Sequence, residues 1–166
     1  MLSILKESND IDGVLRRKSV SVPTPISNEI REFCLEMKDF LKYLEAQYPE
    51  GQIPVGLAAP QVGVNDKIFV LNLPEEYKEI IQDDIFINPF YLYKSFSKQT
   101  IVGESCLSVD EFDEGLTLKR AKKIKICFLT VNGERKIATV SGFLAGIIQH
   151  EMDHLDGVLF YDKVKK

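Results

Sequence analysis

Histidine is close to missing from this chain: of 166 residues, only His150 and His154 carry an imidazole. Cysteine is nearly as scarce, with three. An odd number without an export signal argues for reduced thiols in a cytoplasmic setting rather than a disulfide framework. No apolar stretch approaches the ~20 residues that a membrane span requires. The first residues, MLSILKESNDIDGV, hold neither a long apolar run nor an arginine-rich amphipathic pattern, so they read as neither signal nor transit peptide. Positive charge is not in excess either. The net charge of −4 gives no general attraction to nucleic acid, and Lys119-Arg120-Ala121-Lys122-Lys123 reads as a solvated edge. Repeats, low-complexity tracts and linkers are absent. What is left, 45% hydrophobic and 28% charged, fits a single domain over 1–166 that is long enough to bury a core.

The predicted elements are short. After the Pro23-Thr24-Pro25 turn, Ser27 is placed to cap a helix whose Ile30, Phe33, Cys34, Met37, Phe40, Leu41 and Leu44 keep helical spacing. Pro49-Glu50-Gly51 ends it. KIFVLNL (67–73) and DIFINPFYLY (84–93) read as strands, and Pro89 marks the second as an edge strand or the site of a bulge. In KIKICFLT (123–130), Ile124, Ile126 and Phe128 alternate with Lys123, Lys125 and Cys127; Asn132-Gly133 then predicts a hairpin into RKIATVS. The last long element runs from Ser141-Gly142 to Asp156-Gly157. It is apolar nearly all round through Phe143, Leu144, Ala145, Ile147, Ile148, Met152 and Leu155, which marks a buried helix. The pattern predicts an α+β fold, with an antiparallel or partly mixed β-sheet around that central helix.

The buried helix carries QHEMDHLDG (149–157), and with it both histidines. Imidazoles four apart lie one turn above each other on one face, the spacing of two ligands to one metal ion, with Glu151 beside them as a possible base. Two ligands are half of a tetrahedral site. No third histidine exists, and no glutamate follows Glu151, so the HExxHxxGxxH and downstream-glutamate arrangements are excluded. The third ligand must come from upstream or be one of Asp153, Asp156 and Asp162. Asp153 and Asp156 project off the ligand face or past the helix end. Cys34 belongs to the apolar stripe of the first helix, and Cys127 sits mid-strand without polar context. Cys106, in the Gly/Ser-flanked turn GESCLSV, is the best candidate. A Cys-His-His set leaves a fourth position for water, which is a catalytic design.

Three segments in order, GLAAPQVG (56–63), ESCLS (104–108) and QHEMDHLDG, resemble the three signatures of peptide deformylases. The resemblance implies that family's α+β fold and the hydrolysis of the N-formyl group from formyl-methionine at the start of new polypeptides. It places metal ligands at Cys106, His150 and His154 and the general base at Glu151. Oxyanion donors fall on the Gln61 side chain and the Leu107 backbone N–H. Gly56 lies where the backbone approaches the substrate, and Phe143, Gly146 and Ile147 form the methionine pocket. The implied metal is Fe2+, with Zn2+, Ni2+ or Co2+ able to take its place.

Departures from the family pattern are local. Pro54 replaces a usual glycine in the first signature and removes an N–H. Ser105 replaces the glycine before the cysteine. Asp110, Glu111, Asp113 and Glu114 cluster without a base where an arginine commonly follows, and such a rim disfavours acidic substrates. Only VLFYDKVKK follows Gly157, short of the ~12–15 residues of a marginal isolated helix, so ribosome docking by a C-terminal helix is not expected. Val158, Leu159, Phe160 and Tyr161 are expected to pack back on the core. A monomer acting on N-formyl-methionyl peptides, without stable nucleic-acid or membrane binding, is the resulting expectation. An HExxH endopeptidase and a binding module with a structural metal are the competing readings. Formate release without cleavage of internal peptide bonds excludes the first. The second needs a fourth protein ligand, and no adjacent candidate is evident.

Overall fold

The computed structural model of the chain describes residues 2–49, 53–110 and 116–164. Helix α1 spans Asn28–Glu45, and the Ser27 hydroxyl oxygen accepts the Ile30 N–H at 3.4 Å, one of the donors that a helix start leaves without a partner. The strands are β1 (Gly56–Ala58), β2 (Ile68–Leu71), β3 (Ile85–Lys94), β4 (Lys98–Val102), β5 (Thr117–Ala121), β6 (Lys123–Leu129) and β7 (Arg135–Ser141). A single turn, α2 (Glu75–Lys78), connects β2 to β3, and the long helix α3 covers Gly142–Leu155. Five strands form an antiparallel sheet in the order β1-β2-β3-β6-β7, and β4 pairs with β5 in a separate two-stranded sheet.

Strand alternation sorts the core into two layers. On β2, Ile68 and Val70 join Leu57, Ile85 and Ile87 against Cys34, Met37 and Leu41 of α1. Phe69 and Leu71, on the other face, join Phe86, Ile124, Ile126, Phe128 and Val140 against Leu144, Ala145, Ile148, Met152 and Leu155 of α3. With both faces covered, β2 carries an unbroken apolar run instead of alternation. Each large side chain so buried contributes roughly 1.5–3 kcal/mol, and together they hold α3 rigidly across the sheet.

One expectation is resolved between its alternatives and another needs correction. Pro89 does not lie on an edge strand, because β3 sits between β2 and β6; it falls in a bulge, where the register against β6 shifts between Ile87 and Phe90. Asn88 turns there with a positive φ, and its side chain exchanges two 2.8 Å hydrogen bonds with the Val22 backbone. The basic run 119–123 is not wholly a solvated edge. Lys119, Lys122 and Lys123 are exposed, but Arg120 shares the inward phase of β5 with Leu118 and is only 2% exposed. Strands β4 and β5 are not marked by the sequence pattern.

The hairpin between β6 and β7 forms around Asn132-Gly133, with Leu129 opposite Arg135. Gly157, with a φ of 72°, ends α3; a Cβ there would lie 2.6 Å from the Arg16 carbonyl oxygen, so only glycine fits. Beyond it Leu159 and Phe160 pack with Cys106, Val109 and Leu118 in a third apolar cluster, and residues Phe160–Lys163 form a 3-10 turn. Among the described residues no helix is long and apolar enough to cross a membrane.

Candidate metal centre

The last turns of α3 place His150 and His154 side by side, with their Nε2 atoms 3.2 Å apart and their rings edge to face. Cys106 reaches them from the turn after β4, which the Val109 N–H closes on the Cys106 carbonyl at 3.2 Å. Its Sγ lies 3.2 Å from His154 Nε2, and one donor atom from each of the three residues falls within 4.8 Å of the others. The other thiols are remote in the fold. Cys34 is buried on the inner face of α1, and burial with nearby Asp66 pushes its thiol up to about 12. Cys127 lines a hollow with Phe90 and Arg135 on β3 and β7.

The donors suit a divalent cation. Bonds of about 2.0–2.3 Å to nitrogen and sulfur set ligand atoms on a shared ion a little over 3 Å apart. Burial would raise the Cys106 thiol, yet His154 and His150 beside it bring it well below its ordinary value. Burial would lower His150, but its contacts with Cys106 and Glu104 hold it well above the usual range. A thiolate crowded by imidazole nitrogens is a group of donors whose protons a metal can displace.

Behind His150 stands a buried ion network. Glu104 Oε1 lies 2.6 Å from His150 Nδ1, which leaves Nε2 facing the cluster. Arg120 donates from Nε to Glu104 Oε2 at 2.8 Å and from Nη1 to Asp153 Oδ2 at 2.8 Å, and Lys163 also pairs with Asp153. Burial works against charge on Glu104, but hydrogen bonds from Arg120 and His150 bring its pKa down to about 2. The motif reading missed this network. Its one visible signal is the strand phase that puts Arg120 in step with Leu118.

Two predictions arise here. Glu104→Ala is expected to weaken metal binding by about 10–100-fold, because the His150 ring loses the partner that orients it. A chelator-competition titration measures this; unchanged affinity would remove Glu104 from the centre. Arg120→Met removes the buried cation shared by Glu104 and Asp153, leaving only His150 and Lys163 beside them, and should cost about 3–5 kcal/mol in denaturant unfolding. A loss below about 1 kcal/mol would show that the network relaxes freely.

Glu151 projects from α3 toward β1. It is 3% exposed, and its Oε2 has no hydrogen-bond partner among the described residues. Burial raises its pKa, an effect that His150 and His154 partly offset. Gly56 makes room for it: a Cβ at that position would lie 2.6 Å from the Glu151 carboxyl carbon and nearer still to Oε1. Gln61, 2% exposed, is oriented by the Ala58 N–H, which donates to its Oε1 at 2.9 Å. The amide nitrogen therefore faces Cys106 Sγ at 3.6 Å and Ser108 Oγ at 3.3 Å. Leu107 follows Cys106 in the same turn and is half-buried.

The remaining candidates lie at the N-terminal end of α3. Phe143 is exposed, with its ring 5.9 Å from that of Tyr77. Gly146 is buried, and a Cβ there would meet Ile101 at 3.5 Å and Gln99 at 3.7 Å, so β4 already lies close above it. Ile147 is partly buried against the main core. Pro54 is half-buried and Ser105 exposed. Asp110 is not without a base: Lys6 lies 3.8 Å away, and the Ser8 N–H donates to Asp110. Glu111, Asp113 and Glu114 lie outside the described residues.

All 166 residues match the sequence model of the polypeptide deformylase family. The chain belongs to the peptide deformylase family and is an enzyme of that family. It is 37% identical over 166 residues to the peptide deformylase of Lactobacillus gasseri, covering 96% of this chain and 89% of that one. The Macrococcus caseolyticus peptide deformylase is 36% identical, with 100% and 92% covered. Among solved structures, peptide deformylase from Thermotoga maritima superposes with a TM-score of 0.80 at 28% identity, covering 100% of this chain and 99% of that one. The Ehrlichia chaffeensis peptide deformylase in complex with actinonin gives 0.80 at 32% identity, with 100% and 90% covered.

Proposed function

We propose that this chain hydrolyses the formyl amide of N-formyl-methionyl peptides, with a divalent metal held by Cys106, His150 and His154. One observation carries the reading: the buried, incompletely hydrogen-bonded Glu151 carboxylate stands beside three converging thiol and imidazole donors. Bound there, a cation supplies Lewis acidity toward the formyl carbonyl and makes water a better nucleophile near neutral pH. The protein supplies the rest. Glu151, with its pKa raised, takes a proton from the attacking water as the new C–O bond forms at the formyl carbon. It returns that proton to the amine nitrogen as the C–N bond breaks, so formate and a free N-terminus leave. Gln61 Nε2–H and the Leu107 N–H donate to the carbonyl oxygen as charge gathers on it. Phe143, Gly146 and Ile147 offer an apolar surface to the methionine side chain, and the Gly56 backbone runs beside the scissile group.

Ferrous iron is the proposed native metal, with zinc, nickel or cobalt as competent substitutes, because a single thiolate with two imidazoles accepts all of them. The unpaired Cys34, Cys106 and Cys127 support a reducing, cytoplasmic setting. The test is formate release from a formyl-Met tripeptide by protein purified anaerobically with one equivalent of metal. Stoichiometric formate with the peptide otherwise intact is expected. Internal peptide cleavage, or no formate from metal-loaded protein, would defeat the proposal.

A further inference from the structure

Gln61 and Leu107 belong to loops far apart in the chain, and their relative position decides whether both N–H groups reach one oxygen. The two loops meet at Ser108, whose hydroxyl lies 3.3 Å from Gln61 Nε2. A third segment crosses both. The Leu5 N–H donates to the Gln61 carbonyl at 2.7 Å, and two residues later the Glu7 N–H donates to the Ser108 carbonyl at 2.9 Å. The Asp110 carboxylate then accepts the Ser8 N–H at 3.3 Å. The crossing segment is itself moored. The Glu7 carboxylate accepts from Arg16 Nη2 at 2.7 Å and from the Tyr161 hydroxyl at 2.6 Å, and Arg16 also pairs with Asp162. Tyr161 follows Phe160, whose ring is packed in the Cys106 cluster and stacked on His150.

We propose that residues 5–7 act as a positioning staple for the two oxyanion donors, with Glu7 as the moored residue that sets its place. The inference rests on the deformylase reading for what the donors do. Glu7 touches neither substrate nor the metal ligands. It acts through the Ser108 carbonyl, and so through the peptide segment that carries the Leu107 N–H. Metal binding fixes Cys106 but not the residues after it, which is why a separate restraint matters. Small displacements of groups that must act on one atom are costly: about 1 Å can lower turnover 10²-fold.

The local backbone allows a variant aimed at this one contact. Glu7 is the first residue of a 3-10 turn, where proline is tolerated, and Lys6 before it is extended (φ −93°, ψ 149°), as a residue before proline prefers. Glu7→Pro therefore keeps the φ of the turn but replaces the N–H bonded to Ser108 with a ring Cδ that pushes the Ser108 carbonyl away. Glu7→Ala removes the carboxylate but keeps that N–H. The expected order of kcat is wild type, then E7A about threefold lower, then E7P about a further tenfold lower, with KM within about twofold and metal content equal. A merely stabilising role would lower the unfolding midpoint and leave kcat per metal-loaded site unchanged.

Hydrogen exchange of the amides at 104–110 supplies a readout that needs no activity, and about tenfold faster exchange in E7P than in E7A is expected. Equal kcat in E7A and E7P, or equal exchange, overturns the staple. Wild-type protein that binds metal but releases no formate defeats the deformylase reading, while the exchange comparison still decides whether the staple exists. If E7P does not fold, E7A and Tyr161→Phe decide: each should lose about threefold in kcat at constant KM, and unchanged kcat in both overturns the proposal.

Discussion

Glu151→Gln is expected to retain its metal and lose roughly 10²- to 10⁴-fold in turnover, the contribution typical of a positioned acid–base group. The substitution preserves shape. The amide fits the space that Gly56 leaves open beside the carboxylate, and none of Cys106, His150 and His154 is altered. What disappears is a group that can take a proton from water and give it to the amine. The change also relieves a cost, because burying the carboxylate raises its pKa and disfavours its charged form. The variant should therefore be at least as stable as wild type. Metal analysis, thermal unfolding and formate release on one preparation separate these effects. Turnover within tenfold of wild type, at full metal content, would remove Glu151 from its role as the proton carrier.

The spacing of His150 and His154 on an apolar helix is legible without coordinates because a buried polar pair needs a reason, and metal binding is an economical one. Cys106 follows by elimination, since a chain with three thiols and no third histidine leaves few donors. Helix α1 and the β6–β7 hairpin are legible from a cap, a periodic stripe and Asn132-Gly133, all of which act within a few residues. What escapes local reading is what depends on distant partners. Arg120 looks like one more charge in a basic run; only the return of Asp153 and Glu104 to its side makes its burial affordable. Strand β1 is three residues long and exists through pairing with β2. The bulge at Pro89 lets a proline occupy an inner strand; the sequence offers an edge or a bulge, and only the pairing of β3 with both β2 and β6 decides between them. The crossing of residues 5–7 over Gln61 and Ser108 is made by backbone groups, which leave no trace in side-chain identity.

Cys106→Ala is expected to abolish metal binding, whereas Cys34→Ala and Cys127→Ala should each retain one equivalent. The argument is geometric. Removing Sγ leaves two nitrogens 3.2 Å apart on one helix face, half of a tetrahedral set, with Gln61 Nε2 offering only donor hydrogens toward the gap. Neither Cys34, on the inner face of α1, nor Cys127, in the hollow beside Phe90, can swing into that place without leaving its own buried position. The loss has a second signature in stability. A ligand that binds only the folded state stabilises it by about 4.1 kcal/mol at a thousand times its Kd. Wild type, C34A and C127A should therefore show a metal-dependent rise in unfolding temperature, and C106A none. C34A will itself be less stable, because a fully buried side chain is lost from the inner face of α1, but that penalty should be the same with and without metal. The difference between metal-loaded and metal-free midpoints is thus the deciding quantity for each variant. A C106A protein whose midpoint rises with metal as much as wild type's would show that the ion is held by other residues, and the donor set would have to be redrawn.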